Sequence, residues 1–171
     1  MTAHKLGGLQ ITTPSEREIT MTRVFDAPRR LVFEAHTRPE LLKRWLGVFG
    51  DWSLAVCEID LRVGGGFRYV WRKVARESDK IIDMGMRGTY REIVTNERIV
   101  STEVFDDPWY EGTAVGTLTF VEAGGRTTLT STILYDSQQI RDAVLKTPME
   151  QGVSASYDKL AGILAESSVR P

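Results

Sequence analysis

The chain has 171 residues, enough for one domain with a substantial core, and its 22 Lys and Arg against 23 Asp and Glu leave a net charge of −1. That balance gives no electrostatic case for nucleic acid, which needs a basic patch or stripe. No run of about 18 apolar residues is available to span a membrane. The start lacks the charged-then-apolar layout of a signal peptide, and a single cysteine, Cys57, excludes an internal disulfide framework and suits a reducing cytoplasm.

Residues 1–15 are expected to form an N-terminal arm, because Gly7-Gly8 and Thr12-Thr13-Pro14 break regular structure in a segment of low apolar content. An edge strand through Leu9 and Ile11 is the alternative. One domain then runs over 16–167, with a tail at 168–171. The first strand is expected over 17–25, where Ile19, Met21 and Val24-Phe25 alternate with polar residues. Asp26 is placed to cap a helix and Pro28 to sit in its first turn. Leu31, Val32, Ala35 and His36 follow at helical spacing. Thr37-Arg38-Pro39 interrupts that helix, and Leu41, Leu42 and Trp45 restart another, so two short helices follow strand one.

A loop covers 47–51, and from Trp52 onward the period is two. Strands are expected over 54–62 and 67–74, joined by a tight turn at Gly64-Gly65-Gly66. No helix and no Lys-Ser/Thr follows these glycines, which argues against a phosphate loop. The charged stretch 73–83 reads as a hairpin tip. Strands over 84–94 and 99–105 flank the turn Thr95-Asn96-Glu97. A loop at 106–112 holds Pro108, Trp109 and Tyr110, and a further hairpin crosses Gly124-Gly125. Ser137 opens a short helix, and Pro148 starts a long one. On the latter, Met149, Val153, Tyr157, Leu160, Ala161 and Leu164, with Ile163 at the edge, form one broad apolar stripe. Strands in one run with segregated helices mean α+β.

Several motifs together resemble a known family. They are Asp26-Ala27-Pro28, Val32-Phe33, Thr37-Arg38-Pro39-Glu40, Leu42, Trp45, the stretch 57–62 before the glycine turn, the stretches 88–93 and 97–100, and Met149-Glu150-Gln151-Gly152. This pattern is similar to the SRPBCC or START-like helix-grip superfamily, which includes birch-pollen allergens and polyketide cyclases. Within it, the pattern most resembles the bacterial branch related to the C-terminal domain of the Hsp90 ATPase activator. The resemblance implies a curved antiparallel sheet of about seven strands wrapped around the long C-terminal helix, with a cavity between them.

Side chains expected at that cavity are largely aromatic. Phe67, Tyr69 and Trp71 share one strand face, as do Met84, Met86 and Tyr90, with Gly88 leaving room between them. Trp45, Trp52 and Trp109 lie at loop or helix ends near the mouth. Phe105 joins from the next strand, and Met149, Val153 and Tyr157 from the helix. Ordinary core packing is the competing reading for each. Glu103, His36 and Arg87 are the candidate catalytic groups. Glu103 shares parity with Ile99 and Phe105, although Val100, Thr102 and Val104 on the opposite face are equally apolar.

Glu58 and Asp60 read as a surface charge ladder with Arg62 and Arg68. Cys57, in an apolar run, reads as an inert buried thiol. The two histidines and one cysteine have no metal spacing, so neither a metal nor a cofactor is expected. Three functions follow. The first is a cytoplasmic domain binding a small hydrophobic or aromatic molecule. The second is an enzyme of the cyclase, dehydratase or hydrolase kind using the same cavity. The third is an Hsp90-type co-chaperone or stress-response interaction protein, against which stands the absence from 1–15 of the extra domain such co-chaperones carry. The arm and the polar tip at 73–83 could embrace a second copy, although nothing in the sequence demands a homodimer.

Overall fold

The computed structural model describes residues 8–108, 110 and 112–169. Its elements are β1 (Gln10–Thr12), β2 (Glu18–Phe25), α1 (Arg29–Thr37), α2 (Pro39–Leu42), β3 (Trp52–Ile59), β4 (Gly66–Val74), β5 (Ile81–Val94), β6 (Arg98–Phe105), β7 (Ala114–Ala123), β8 (Arg126–Leu134), α3 (Gln138–Leu145) and α4 (Met149–Val169). The strands form one antiparallel sheet in the order β1-β2-β8-β7-β6-β5-β4-β3. The fold is the expected α+β arrangement, a sheet gripping a C-terminal helix. The strand count is eight because the edge-strand alternative holds: Gln10 pairs with Thr22 and Thr12 with Thr20.

The β2–β8 ladder joins the first long strand to the last, from Glu18 opposite Leu134 to Phe25 opposite Thr127. Between them, α1 and α2 carry the chain from β2 to β3 at the far edge of the sheet, and each strand from β3 to β8 then pairs with the next. Along β2 the burial alternates strictly, with Ile19, Met21, Arg23 and Phe25 inward. On α4, Tyr157, Leu160, Ile163 and Leu164 are buried in one cluster with Phe25, Leu54, Tyr90, Ile99, Phe120 and Leu129, which come from six different strands. Ile163 is thus a full member of the stripe, not its edge. Arg23 ties the helix to β2. It is 6% exposed, its guanidinium reaches Asp158 at 2.8 Å, and Nη1 donates to the Ser154 carbonyl at 3.4 Å.

Two local expectations are corrected. Strand β4 ends at Val74 as expected, but β5 begins at Ile81 rather than Met84, so the hairpin tip shrinks to 75–80. Asp26 does not cap α1. Pro28 is extended at φ −66°, ψ 150° and is itself the residue before the first helical turn, which leaves Asp26 two positions too early. Asp26 instead faces Arg126 at 3.6 Å on the surface. The free N–H of Arg29 is accepted by Glu122 Oε1 at 2.8 Å, a carboxylate from β7 that lies distant in sequence. Thr127, fully buried on β8, donates to the Ala27 carbonyl at 2.7 Å and holds the same junction. Helix α3 starts as expected, with Ser137 Oγ accepting from the Ile140 N–H at 3.1 Å.

The remote cap gives a contrast that sequence proximity would reverse. Glu122→Ala is expected to cost about 1 kcal/mol, the usual cost of a lost helix cap, while Asp26→Ala stays within about 0.5 kcal/mol. Urea unfolding of the two variants checks this ordering.

Candidate functional site

Alternation on the inner strand faces places the side chains of β4, β5 and β6 toward α4, and a cavity of about 540 Å³ lies between them. Ligand pockets commonly fall at roughly 300–1,000 Å³. One wall is Phe67, Tyr69 and Trp71 of β4 with Met84, Met86 and Tyr90 of β5. Ile99, Ser101, Glu103 and Phe105 of β6 form the floor. Met149, Val153 and Tyr157 of α4 face them, and Trp45, Trp52 and His36 complete the lining.

The wall is fixed by ring contacts. Phe67 and Tyr69 stack at 4.6 Å, and Tyr69 meets Trp71 edge-on at 5.9 Å. Trp71 Nε1 donates to the Leu46 carbonyl at 3.0 Å. That indole lies so close to Gly47, at φ +67°, that any Cβ there would collide with it. Gly47 N–H donates in turn to Ser156 Oγ on α4 at 3.0 Å, so this loop links the wall to the helix. Phe49 and Met84 are 40% and 45% exposed and mark the open side.

Polar groups are few. Glu103 is surrounded by protein, keeps contact surface with the cavity, and accepts no hydrogen bond from the described residues. Burial raises its carboxyl to about 7. Tyr69, Tyr110 and Tyr135 stand near enough to feel its charge, and burial pushes all three phenols upward. His36 Nδ1–H donates to the Val32 carbonyl at 2.8 Å, which leaves Nε2 as an acceptor. Burial beside Trp45 and Phe120 lowers its imidazole to about 4, so it is neutral at physiological pH. The Tyr157 hydroxyl is pushed up to about 12 by burial, with its ring edge-on to Phe25 at 5.6 Å.

The structure thus brings together twelve side chains singled out from sequence as ligand-contacting: Trp45, Trp52, Phe67, Tyr69, Trp71, Met84, Met86, Tyr90, Phe105, Met149, Val153 and Tyr157. It adds Glu103 and His36. Trp109 lies outside the described residues. Arg87 does not join them. It lies on the outer face of β5, opposite Arg68, and both guanidiniums pair with Asp106 in solvent. The period of two dictates this, because Met86 and Gly88 on either side point inward. Cys57 is buried, with its thiol raised to about 11, and does not line the cavity. Glu58 faces Arg68 across the β3–β4 pair and Asp60 pairs with Arg62 at 2.9 Å, a surface charge ladder.

Sequence reasoning missed Met21, Ser131 and Leu118, which form one cross-strand row with Ile99. The parity of β8 from Leu129 would have found Ser131. Phe49 had no local signal, since it sits in an irregular loop.

A family model described as Activator of Hsp90 ATPase homolog 1-like protein matches residues 26–165. A solved protein of Rhodobacter sphaeroides is similar over 92% of this chain and 98% of its own, with TM-score 0.84 and 26% identity. A protein of Nitrosomonas europaea superposes over 92% of this chain and 100% of its own, with TM-score 0.75 and 22% identity. CalU16 of Micromonospora echinospora shares the fold over 96% of this chain and 88% of its own, with TM-score 0.60 and 21% identity. Comparison with curated proteins returns no match.

Glu103 and His36, both largely withdrawn from solvent, act on stability in opposite directions. Glu103 rises from 4.5 to about 7 on folding, so the folded chain holds its proton longer, and stability falls as pH increases through that window. His36 drops from 6.5 to about 4, so the folded chain sheds its proton sooner, and stability rises from pH 4 to 6.5. Glu103→Gln removes only the first effect. The variant is expected to be more stable than the parent at pH 8, by about 1–3 kcal/mol, and close to it at pH 4.5. Urea titrations at the two pH values measure the difference; an equal effect at both would contradict the buried-carboxylate assignment.

Proposed function

The chain belongs to the Activator of Hsp90 ATPase homolog 1-like family, and from that premise we propose that it holds one small hydrophobic or aromatic molecule between the sheet and α4. The observation that carries this reading is the cavity itself. Its 540 Å³ is enclosed mainly by aromatic and aliphatic side chains from β4, β5, β6 and α4, with isolated polar groups among them. Such a lining favours transfer of an apolar body from water by about 25 cal/mol per Å² of surface removed. The fold alone does not decide between activities. The same family description also names an interaction role, which requires stimulation of an Hsp90 ATPase and makes no use of the cavity.

A second reading has its own observation. A cavity carboxyl held near 7 is poised to exchange a proton with a bound molecule, which is what a general acid or base needs. On that reading Glu103→Gln binds the molecule and fails to convert it, whereas in a binding domain the variant changes affinity and its pH dependence and there is no turnover to lose.

Val153 projects from α4 into the space. Val153→Trp is expected to fill it with a stability loss under about 1 kcal/mol and to abolish the thermal shift given by the neutral fluorophore prodan. A loss beyond about 1–3 kcal/mol, the typical cost of overpacking, with prodan binding unchanged would show that Val153 faces filled space.

A further inference from the structure

Among the described residues the cavity is lined by one carboxyl group, Glu103, and by one basic side chain, His36, which is neutral above pH 6. No Lys or Arg among the described residues lines it, and Glu103 is the one carboxylic acid in the lining, its charge growing as pH rises through about 7. The nearby strands carry arginines, but these are turned outward: Arg68 and Arg87 onto Asp106, and Arg72 onto Asp83. The buried guanidinium of Arg23 is engaged by Asp158 and is not part of the lining. Glu103 therefore lacks the partner that a buried acid normally has. It stands where Gly116 of β7 leaves space, since a Cβ there would approach Oε1 to 2.8 Å. The adjoining wall of Phe67, Tyr69 and Trp71 adds aromatic rings, whose faces attract cations and repel anions.

We propose that the molecule held in this cavity is an amphipathic amine, with its apolar or aromatic body against the β4–β5 wall and its ammonium group donating to the Glu103 carboxylate. This rests on the cavity-binding reading above and narrows it. Apolar anions such as fatty or aryl carboxylates are selected against, because they would meet a like charge with no cation to receive them. The groups facing Glu103 are the phenols of Tyr69 from β4, Tyr110 from the loop after β6 and Tyr135 after β8, and burial keeps all three neutral well above pH 8. His36, at about 4, is neutral above pH 6. Between pH 6 and 8, Glu103 is thus the cavity group that changes charge.

The test is displacement of prodan by a matched pair, 4-phenylbutylamine and 4-phenylbutyrate, on the full chain. At pH 8 the amine is expected to displace prodan at a concentration about tenfold lower than the acid, or less, as one charge-assisted hydrogen bond implies. The ratio should shrink toward pH 6 and vanish in Glu103→Gln, a variant expected to fold at least as well as the parent. Equal displacement by amine and acid in the parent overturns the proposal, and so does a preference that survives Glu103→Gln. Failure of prodan to bind at all removes the cavity-binding reading and this inference with it. Prodan binding without amine preference removes this inference alone.

Discussion

Eight strands at the ~4.8 Å spacing of paired strands make a sheet roughly 34 Å wide, and a helix about 10–12 Å across covers a third of it. Burial of the α4 stripe is what draws the sheet into one body. Tyr157, Leu160, Ile163 and Leu164 share a single cluster with residues of six strands. Helix α1 takes a further part of the inner face, lying on β7, β8 and α4. Over β4 and β5 the inner face meets α4 only across long side chains. Aromatic side chains lengthen that wall, and the space they leave is the cavity. Its existence follows from this mismatch of widths.

The same mismatch explains which features could be seen in the sequence. Period-two alternation is a local property, so the aromatic faces of β4 and β5 were legible. The α4 stripe was legible for the same reason. On β6, by contrast, the equally apolar set Val100, Thr102 and Val104 left the direction of Glu103 open. What escaped depends on partners far along the chain. The cap of α1 comes from Glu122, and no inspection of the residues around Asp26 could reveal it. Phe49 reaches the cavity because Gly47 and Gly50 turn the loop at φ +67° and +58°. Arg87 is the reverse case, because its alternation with Met86 already points it to the outer face.

Charge on the sheet is sorted to its outer face, apart from Arg23 and Glu103 on the inner one. The outer face pairs Arg68 and Arg87 with Asp106 and Arg72 with Asp83, and exposed pairs of this kind contribute little to stability. Asp106 has a more local role. It separates two arginines that the β4–β5 register sets directly opposite each other, where like charges would otherwise repel. On the inner face Arg23 is buried but anchored by Asp158, so its charge fastens the helix. Glu103 is the inner-face charge with no such anchor.

That difference bears on function through energy. Raising a carboxyl from 4.5 to about 7 corresponds to about 3 kcal/mol of unfavourable folding free energy at high pH, a large fraction of a typical domain's stability. A glutamine in the same position would avoid most of that cost while filling the same volume. The cost is offset only if something donates to the carboxylate in the working state. A molecule present at about 100 times its dissociation constant adds about 2.7 kcal/mol to the folded state, which is of the same size. On the binding reading proposed above, such a domain is least stable when empty above pH 7 and regains its margin when occupied, so that the unpaired carboxylate would couple occupancy to stability.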